Sequence, residues 1–293
     1  MCMTDRSMCT SAPALRLIAF NSARWIPTRE EWILANRLIQ RSEAERISRF
    51  AFKKDAKASM MGRLLLRKLL ADFRISNSCD DLERNSDERP ILKRPTRGFD
   101  FNVSHQGNFS VAVAGFCGKL GVDIMQMQYT GGRTIPEFFR LMSRQFTEDE
   151  WVYIRRPSDE KDQVANFYRM WTLKESYVKA IGVGLAMDLQ RINFSVCEQL
   201  RLGEQLRSTT VKVDGTARPE WTFHEILVDD EHCLAVAVFG QDDKSVGRCE
   251  QIDSFGQVVS NLQPRTETCS DVDDRLVDEL WSQFKERAEK PCL

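Results

Sequence analysis

The sequence lacks the short patterns by which many enzyme classes are recognised. It has no P-loop and no G-x-G-x-x-G, H-E-x-x-H or G-x-S-x-G pattern, which argues against the commonest nucleotide-binding, zinc-dependent and serine-hydrolase architectures. The nine cysteines are scattered and include no C-x-x-C pair. They therefore predict reduced thiols in a cytoplasmic protein instead of a zinc site or a disulfide framework. No apolar run approaches the length of a membrane span, so no membrane partner is expected.

A concentrated basic face is also missing. The formal net charge is −1, and residues 241–293 contain 12 acidic and 7 basic residues, which leaves the first 240 residues at +4. Proteins that bind nucleic acid normally show a much denser cluster of lysine and arginine, so we expect no nucleic-acid partner. The small positive excess suits a pocket for one anionic small molecule.

The order of the predicted elements indicates an α+β fold. Helical patterns and then strand patterns occur twice along the chain, with a boundary near Gly118, which predicts two α+β halves packed around a cleft. We expect four segments: a flexible leader (1–14), an N-terminal subdomain (15–117), a C-terminal subdomain (118–240), and an acidic, largely disordered tail (241–293) that ends in an amphipathic helix.

Local signals add detail to this outline. The S/T-x-x-E patterns that begin at Thr28, Ser42 and Thr147 have the spacing of helix-capping boxes. Residues 74–100 are polar and interrupted by proline and glycine, so they predict a loop with at most one short strand. Most of the cations between residues 46 and 68 are expected to lie on solvated helix faces.

The most informative segment is WTLKESYVKA, residues 171–180. At helical spacing, Glu175 falls at the edge of an apolar stripe that includes Trp171 and Val178, with Lys179 one turn further on. A carboxylate that faces the core must be neutralised, paired or bound to a metal. An ordinary Glu175–Lys179 ion pair on a solvated face is the alternative, and this segment alone favours it.

A second acidic residue, Asp123, lies in the apolar strand pattern of residues 121–124. Two carboxylates completed by water would suit Mg²⁺, and the candidate phosphate partners around them are Arg46, Arg89, His105 and Lys179. Residue patterns alone leave open that Asp123 only caps a turn and that His105 is structural. A serine hydrolase built on Ser104 and His105 is a weak alternative, because neighbours on a strand point to opposite faces.

Three segments in order, FNVSH (101–105), GVDI (121–124) and WTLKESYVKA followed by Gly182, resemble the signature of the 4′-phosphopantetheinyl transferases, in particular the broad-specificity Sfp-type branch. The similarity covers about residues 15–240. It implies two similar α+β subdomains in a pseudo-twofold arrangement, with coenzyme A in the cleft between them.

The resemblance also implies an activity and its partners. Such an enzyme transfers 4′-phosphopantetheine from coenzyme A to a serine of an apo carrier protein, and it releases adenosine 3′,5′-bisphosphate. Carrier domains of fatty acid synthase and of aminoadipate-semialdehyde dehydrogenase are the expected partners. A chain with both halves has no evident need to dimerise, so we expect a cytoplasmic monomer. A non-catalytic module that binds coenzyme A or a carrier protein is the alternative function.

Residue roles follow from the same resemblance. Asp123 and Glu175 match magnesium ligands, and Met125 stands where bacterial relatives have a third carboxylate, which a water is expected to replace because a thioether binds Mg²⁺ poorly. The general base is Glu175, Glu150 or a metal-bound water, with Glu175 favoured. Lys179 is also expected to act in catalysis by contacting the pyrophosphate. The matching coenzyme A contacts are Arg46, Arg89, Ser104, His105 and Lys179.

Overall fold

The structure is a computed structural model that describes residues 15–184, 187–240, 246–265 and 271–289, with the backbone alone at 271–277. Its helices are α1 (Arg29–Arg37), α2 (Arg41–Ser48), α3 (Lys53–Asp72), α4 (Ile135–Leu141), α5 (Glu148–Arg155), α6 (Glu160–Ile181), α7 (Phe255–Val259) and α8 (Asp271–Glu286). Its strands are β1 (Leu15–Asn21), β2 (Leu82–Arg84), β3 (Pro90–Leu92), β4 (Phe99–Gln106), β5 (Phe109–Phe116), β6 (Lys119–Gln126), β7 (Ile192–Ser195), β8 (Gln205–Leu206), β9 (Thr210–Val213), β10 (Thr216–Ala217), β11 (Trp221–Asp229), β12 (His232–Phe239) and β13 (Glu250–Ile252).

The N-terminal half is built on a sheet with the strand order β13-β1-β5-β4. Strand β5 is antiparallel to both β1 and β4, and it is buried along nearly its whole length, which explains its almost uninterrupted apolar sequence. Helix α3 packs on this sheet through buried side chains such as Met60, Leu64 and Leu65.

The C-terminal half repeats this arrangement. Its sheet has the order β6-β12-β11-β8, with β12 antiparallel to β6 and β11, and α6 packs across β6 and β12. Strands β1, β5 and β4 with α3 therefore correspond to β6, β12 and β11 with α6. The predicted α+β fold of two similar halves is confirmed.

The two halves meet along strands β4 and β6. These strands are joined by side-chain hydrogen bonds and not by backbone pairing. Every second residue of β4 faces β6, as strand periodicity requires. Three of these side chains accept hydrogen bonds from backbone amides of β6: Asp100 from Leu120 (2.8 Å), Asn102 from Val122 (3.4 Å) and Gln106 from Gln126 (2.5 Å). Ser104 shares their alternation, so it too points at β6.

The structure confirms some local predictions from the sequence and contradicts others. The capping boxes at Thr28 and Thr147 are confirmed. The one at Ser42 is wrong, because α2 begins at Arg41 with Gln40 at the N-cap position, which places Ser42 inside the helix. Residues 74–100 contain two short strands, β2 and β3, which form a hairpin; the single strand allowed by prediction was one too few.

Two cations of α3 are exceptions to the solvated helix face that was predicted for most cations of this region. Arg63 and Arg67 are only 4% and 2% exposed, because α3 is covered on both sides, by the sheet and by the elements around it. The Arg67 guanidinium donates to the backbone carbonyls of Leu38, Asn77 and Gln263. Its N–H groups thus supply hydrogen bonds to carbonyl groups that have no helical or sheet partner.

The predicted disorder of the tail is wrong for residues 246–265. Strand β13 pairs in parallel with β1, and α7 follows it. The expected amphipathic helix is present as α8, where Phe284 stacks on Trp32 with ring centroids 4.0 Å apart. The apolar residues of the segment 246–265 pack singly against the body of the protein. They therefore do not recur at helical or strand spacing in the sequence. Residues 1–14, 241–245, 266–270 and 290–293 lie outside the described ranges.

Candidate active site

A cavity of about 870 Å³ opens between the two halves. Its walls come from α2, α3, the β2–β3 hairpin, β4 and α6. Six of the seven residues predicted to form the site line it: Arg46, Arg89, Ser104, His105, Glu175 and Lys179. The seventh, Asp123, lies directly behind Ser104 and Lys179 and is 5% exposed.

A glycine sets the distance between the strand and the helix that carry the acidic pair. A Cβ atom on Gly121 would lie 2.0 Å from the carbonyl oxygen of Ser176 and 2.6 Å from the amide nitrogen of Ala180. Only glycine permits this contact between β6 and α6. The close packing brings Asp123, two residues later on β6, against the turn of α6 that holds Glu175 and Lys179.

Asp123 is held by two donors from different halves of the protein. Its Oδ1 atom accepts hydrogen bonds from Ser104 Oγ (2.8 Å) and Lys179 Nζ (2.7 Å). Lys179 Nζ also donates to Ser104 Oγ at 2.8 Å, so the three side chains form one cluster. The second carboxylate oxygen, Oδ2, is buried and accepts no hydrogen bond from the described residues.

Glu175 does not form the i,i+4 ion pair with Lys179 that its own segment favoured, since Lys179 pairs with Asp123. The part of the chain that the structure describes offers the Glu175 carboxylate no hydrogen-bond donor. Burial raises the pKa of Glu175, the charge of Asp123 raises it further, and Lys179 opposes both. A carboxyl with a raised pKa in a cavity accepts a proton more readily than an exposed one.

His105 lies at the opening of the cavity, and its side chain is exposed. The walls around the ring partly desolvate it and lower its pKa, and the charges of Lys179 and Arg46 lower it further. His105 is therefore mainly neutral near pH 7. Because Ser104 Oγ is bonded to Asp123 and Lys179, no described contact places His105 as its base, and the arrangement does not support the serine-hydrolase hypothesis.

Arg89 joins the two halves beside the cavity. Its Nη1 donates to the backbone carbonyl of Lys179 (2.8 Å), near the C-terminal end of α6, and its Nη2 donates to Asp100 on β4 (3.1 and 3.2 Å). Helix α6 ends at Gly182, where φ is +75°. Arg89 thus satisfies one of the last helix carbonyls while it lines the cavity.

Arg46 belongs to a cluster that sequence reasoning missed. The buried Glu43 of α2 accepts hydrogen bonds from Arg46 and Arg84, and Arg63 lies 3.7 Å away. All three arginines line the cavity. Arg84 lies in a stretch predicted to be a loop, and Arg63 was placed among solvated cations, so only their convergence in space identifies them.

Glu150 lies outside the cavity and is fully buried. Its carboxylate pairs with Lys174 at 2.8 Å and accepts from the amides of Thr147 (2.8 Å) and Phe194 (2.9 Å). Lys174 also donates to the carbonyls of Leu189 and Ile192. In this position Glu150 cannot reach an incoming hydroxyl group, so its geometry is that of a structural residue.

The geometry does not include an all-protein metal cage. Across the described ranges, no group of three or more His, Cys, Asp or Glu side chains could hold a metal ion. Met125 shares the strand face of Asp123 by alternation and is not among the cavity-lining residues.

No described helix combines the length and the apolar character that crossing a membrane requires.

Comparisons with known proteins match both halves of the chain to the same family. Residues 23–117 match the family model of 4′-phosphopantetheinyl transferase, N-terminal, and residues 119–237 match that of the 4′-phosphopantetheinyl transferase superfamily. The L-aminoadipate-semialdehyde dehydrogenase-phosphopantetheinyl transferases of Mus musculus and Homo sapiens are 40% and 41% identical over 266 residues, 85% of this chain and 86% of theirs. A phosphopantetheinyl transferase of Thraustochytrium is 34% identical over 232 residues, 77% of this chain and 78% of its own.

Proposed function

The chain belongs to the 4′-phosphopantetheinyl transferase superfamily, and we propose that the cavity between its halves binds coenzyme A and is the site of transfer. The reaction joins the serine Oγ of an apo carrier protein to the β-phosphorus of coenzyme A. The P–O bond to the adenosine part breaks, adenosine 3′,5′-bisphosphate leaves, and the serine proton passes to a base. The observation that carries this assignment is the convergence of Asp123, Glu175 and Lys179 beside a cavity whose wall also carries Arg46 and Arg84.

Asp123 and Glu175 are suited to hold Mg²⁺. Asp123 has a buried oxygen without a donor, and the Glu175 carboxylate, partly buried beside it, accepts no hydrogen bond from the described residues. Mg²⁺ needs only one or two protein carboxylates, with water and substrate phosphate oxygens completing its shell. When bound, it would neutralise charge on the pyrophosphate.

Glu175 is our choice for the general base. Its raised pKa and its position in the cavity wall suit a carboxylate that accepts the proton of an incoming serine. Glu150 lacks access to the cavity. A metal-bound water remains the alternative acceptor, and the pH dependence of kcat distinguishes the two.

Lys179 and Ser104 support the phosphate end of the site. The Lys179 ammonium is 30% exposed and held by Asp123 and Ser104, which fixes a positive charge where the leaving pyrophosphate oxygen would gain negative charge. Neutral His105 at the opening can donate or accept a hydrogen bond there.

The arginines of the N-terminal half suit the remaining phosphate of coenzyme A. This ligand carries a pyrophosphate and a separate 3′-phosphate, so it presents anionic groups at two distant points. Arg46 and Arg84 line the part of the cavity formed by the N-terminal half, whereas Arg89 lies beside Lys179. Arginine binds phosphate through several N–H donors at once, so we assign the 3′-phosphate to the part lined by Arg46 and Arg84.

The partner is an apo carrier protein. Relatives are named for L-aminoadipate-semialdehyde dehydrogenase, so the carrier domain of such an enzyme is our first choice of substrate, with the carrier domain of fatty acid synthase as the second. We propose a monomer that acts in the cytoplasm.

Mass spectrometry tests the proposal directly. The protein, coenzyme A, Mg²⁺ and an apo carrier domain should yield a phosphopantetheine adduct on the carrier serine, and Asp123→Ala or Glu175→Ala should abolish it without unfolding the chain. If no adduct forms on several carriers while coenzyme A still binds, the protein is a binding module. Near-normal turnover by either variant would remove the metal assignment.

A further inference from the structure

A single buried carboxylate organises the arginines at the end of the cavity formed by the N-terminal half. Glu43 is 4% exposed. Burial alone would raise its pKa, but hydrogen bonds from Arg84 and Arg46 and the charges of Arg63 and Arg84 overcome this and lower the pKa to about 2. Glu43 is therefore ionised at all working pH values, and the cluster carries three positive charges against one negative charge.

The bonds to Glu43 fix the guanidinium groups of Arg46 and Arg84 in direction as well as in place. Arg84 binds both carboxylate oxygens, through Nε at 2.5 Å and Nη2 at 3.1 Å. Arg46 binds one of them through Nε at 3.2 Å and Nη2 at 3.0 Å. Two-point contacts of this kind hold a planar guanidinium in one orientation.

This orientation leaves Arg46 a donor for a ligand, whereas the Nη1 of Arg84 donates to the backbone carbonyl of Glu88. Arg46 gives Nε and Nη2 to Glu43 and Ser59, and its Nη1 has no partner among the described residues. Its side chain is 31% exposed, against 5% for Glu43. The carboxylate is thus more deeply buried than Arg46, which lines the cavity and has its Nη1 available to a ligand.

One arginine would be enough to neutralise a purely structural carboxylate. Three cations around one anion leave an excess of positive charge, which attracts another anion. Asp87 and Glu88, on the turn after Arg84, also line the cavity, but the Glu88 side chain is 76% exposed, so water screens its charge. The positive charges of the cluster are less exposed than that of Glu88, with side-chain exposures of 31% for Arg46, 25% for Arg84 and 3% for Arg63.

We propose that Glu43 is a positioning residue that orients Arg46 and Arg84 to receive the 3′-phosphate, and that it sets the preference of the enzyme for coenzyme A over 3′-dephospho-coenzyme A. This inference rests on the proposed function. Glu43 touches neither the substrate nor the reacting atoms; it acts through the two arginines.

Calorimetric titration without metal separates this role from a structural one. The probes are adenosine 3′,5′-bisphosphate and adenosine 5′-monophosphate, which lacks the 3′-phosphate. Glu43→Gln should weaken bisphosphate binding about tenfold, as expected for the loss of one charge-assisted hydrogen bond, and should leave monophosphate binding within about twofold. In the transfer reaction the KM for coenzyme A should rise by a similar factor while kcat is kept.

The matched control is Glu45→Gln. Glu45 lies on the same helix, pairs with Arg41 at 3.1 Å and is 47% exposed, so its replacement should change neither affinity. If Glu43→Gln does not fold, Glu43→Asp keeps the charge but shortens its reach by one methylene, and it should also reduce the discrimination between the two nucleotides.

The outcomes are distinct. An unchanged ratio of the two affinities in either folded variant would overturn the proposal. So would tighter bisphosphate binding by Glu43→Gln, because it would show that the carboxylate only competes with the ligand. If the wild-type protein discriminates between the nucleotides but modifies no carrier, the proposed function fails and the role of Glu43 stands.

Discussion

Replacing Glu150 with glutamine would decide whether this carboxylate serves the fold or the reaction. Glutamine keeps the shape of the side chain and can still accept from the amide of Phe194 (2.9 Å in the wild type). It removes the counter-charge of Lys174, whose ammonium is fully buried. The perturbation is therefore an uncompensated charge in the core with little change in packing.

Two estimates of its cost agree. Removing one partner of a buried ion pair costs about 3–5 kcal/mol. Alternatively, Lys174 gives up its proton, which costs about 1.4 kcal/mol for each of the roughly three pH units between pH 7.5 and an ordinary lysine pKa near 10.4, or about 4 kcal/mol. Burial already lowers the pKa of Lys174, and Glu150 is the main force that opposes this, so deprotonation is the expected response.

This response has a pH signature. In Glu150→Gln the unfolded chain would hold the Lys174 proton and the folded chain would not. Stability should then rise with pH, by about 1.4 kcal/mol per unit between pH 7 and 9. Urea denaturation at several pH values measures the slope. The double variant Glu150→Gln/Lys174→Met removes the charge altogether, so it should be more stable than Glu150→Gln and lack the slope.

Kinetics of the same variants test the chemical role. If Glu150 is structural, kcat of the folded double variant should stay within about threefold of the wild type, whereas loss of a general base costs about 10²–10⁴ in rate. KM for coenzyme A is allowed to rise, because Lys174 anchors the carbonyl of Leu189 in the cavity wall. A double variant as stable as the wild type but a hundredfold slower would refute the structural assignment.

Three further predictions concern other parts of the molecule. Lys179→Ala should lower kcat by about 10²-fold at every Mg²⁺ concentration in steady-state assays, and recovery with excess Mg²⁺ would exclude its proposed role. Burial lowers the pKa of the fully buried His224 to about 4, so the folded state excludes a proton that the unfolded state binds below about pH 6.5. Stability should therefore fall by about 2 kcal/mol from pH 7 to 5, and His224→Asn should abolish that fall in urea denaturation; an equal fall in the variant would mean that another group causes it. Phe284→Ala should cost about 3–5 kcal/mol of unfolding free energy, whereas Val152→Ala, at a position 71% exposed, should cost almost nothing; equal costs would mean that α8 does not belong to the core.

Much of the fold could be read from local patterns. Capping boxes located the starts of α1 and α5, and Gly182 located the end of α6, because these signals act within a few residues of the chain. The order of helices and strands gave the two-part α+β architecture. The tail was misjudged because strand β13 and the residues after it are stabilised by contacts with β1 and α1, more than 200 positions away in sequence.

The sequence by itself determined the family signature and, through it, the prediction that Asp123, Glu175 and Lys179 belong to the site, because these residues stand in motifs with fixed spacing. Only the tertiary structure decided how charges pair. Lys179 binds Asp123 in preference to its helix neighbour Glu175, Glu150 is matched with buried Lys174, and Glu43 collects three arginines from α2, α3 and β2. These ion pairs form between side chains that are distant in sequence and are buried together in the fold. The Coulomb energy of such a pair depends on the distance between the charges and on their burial. A sequence pattern contains neither quantity.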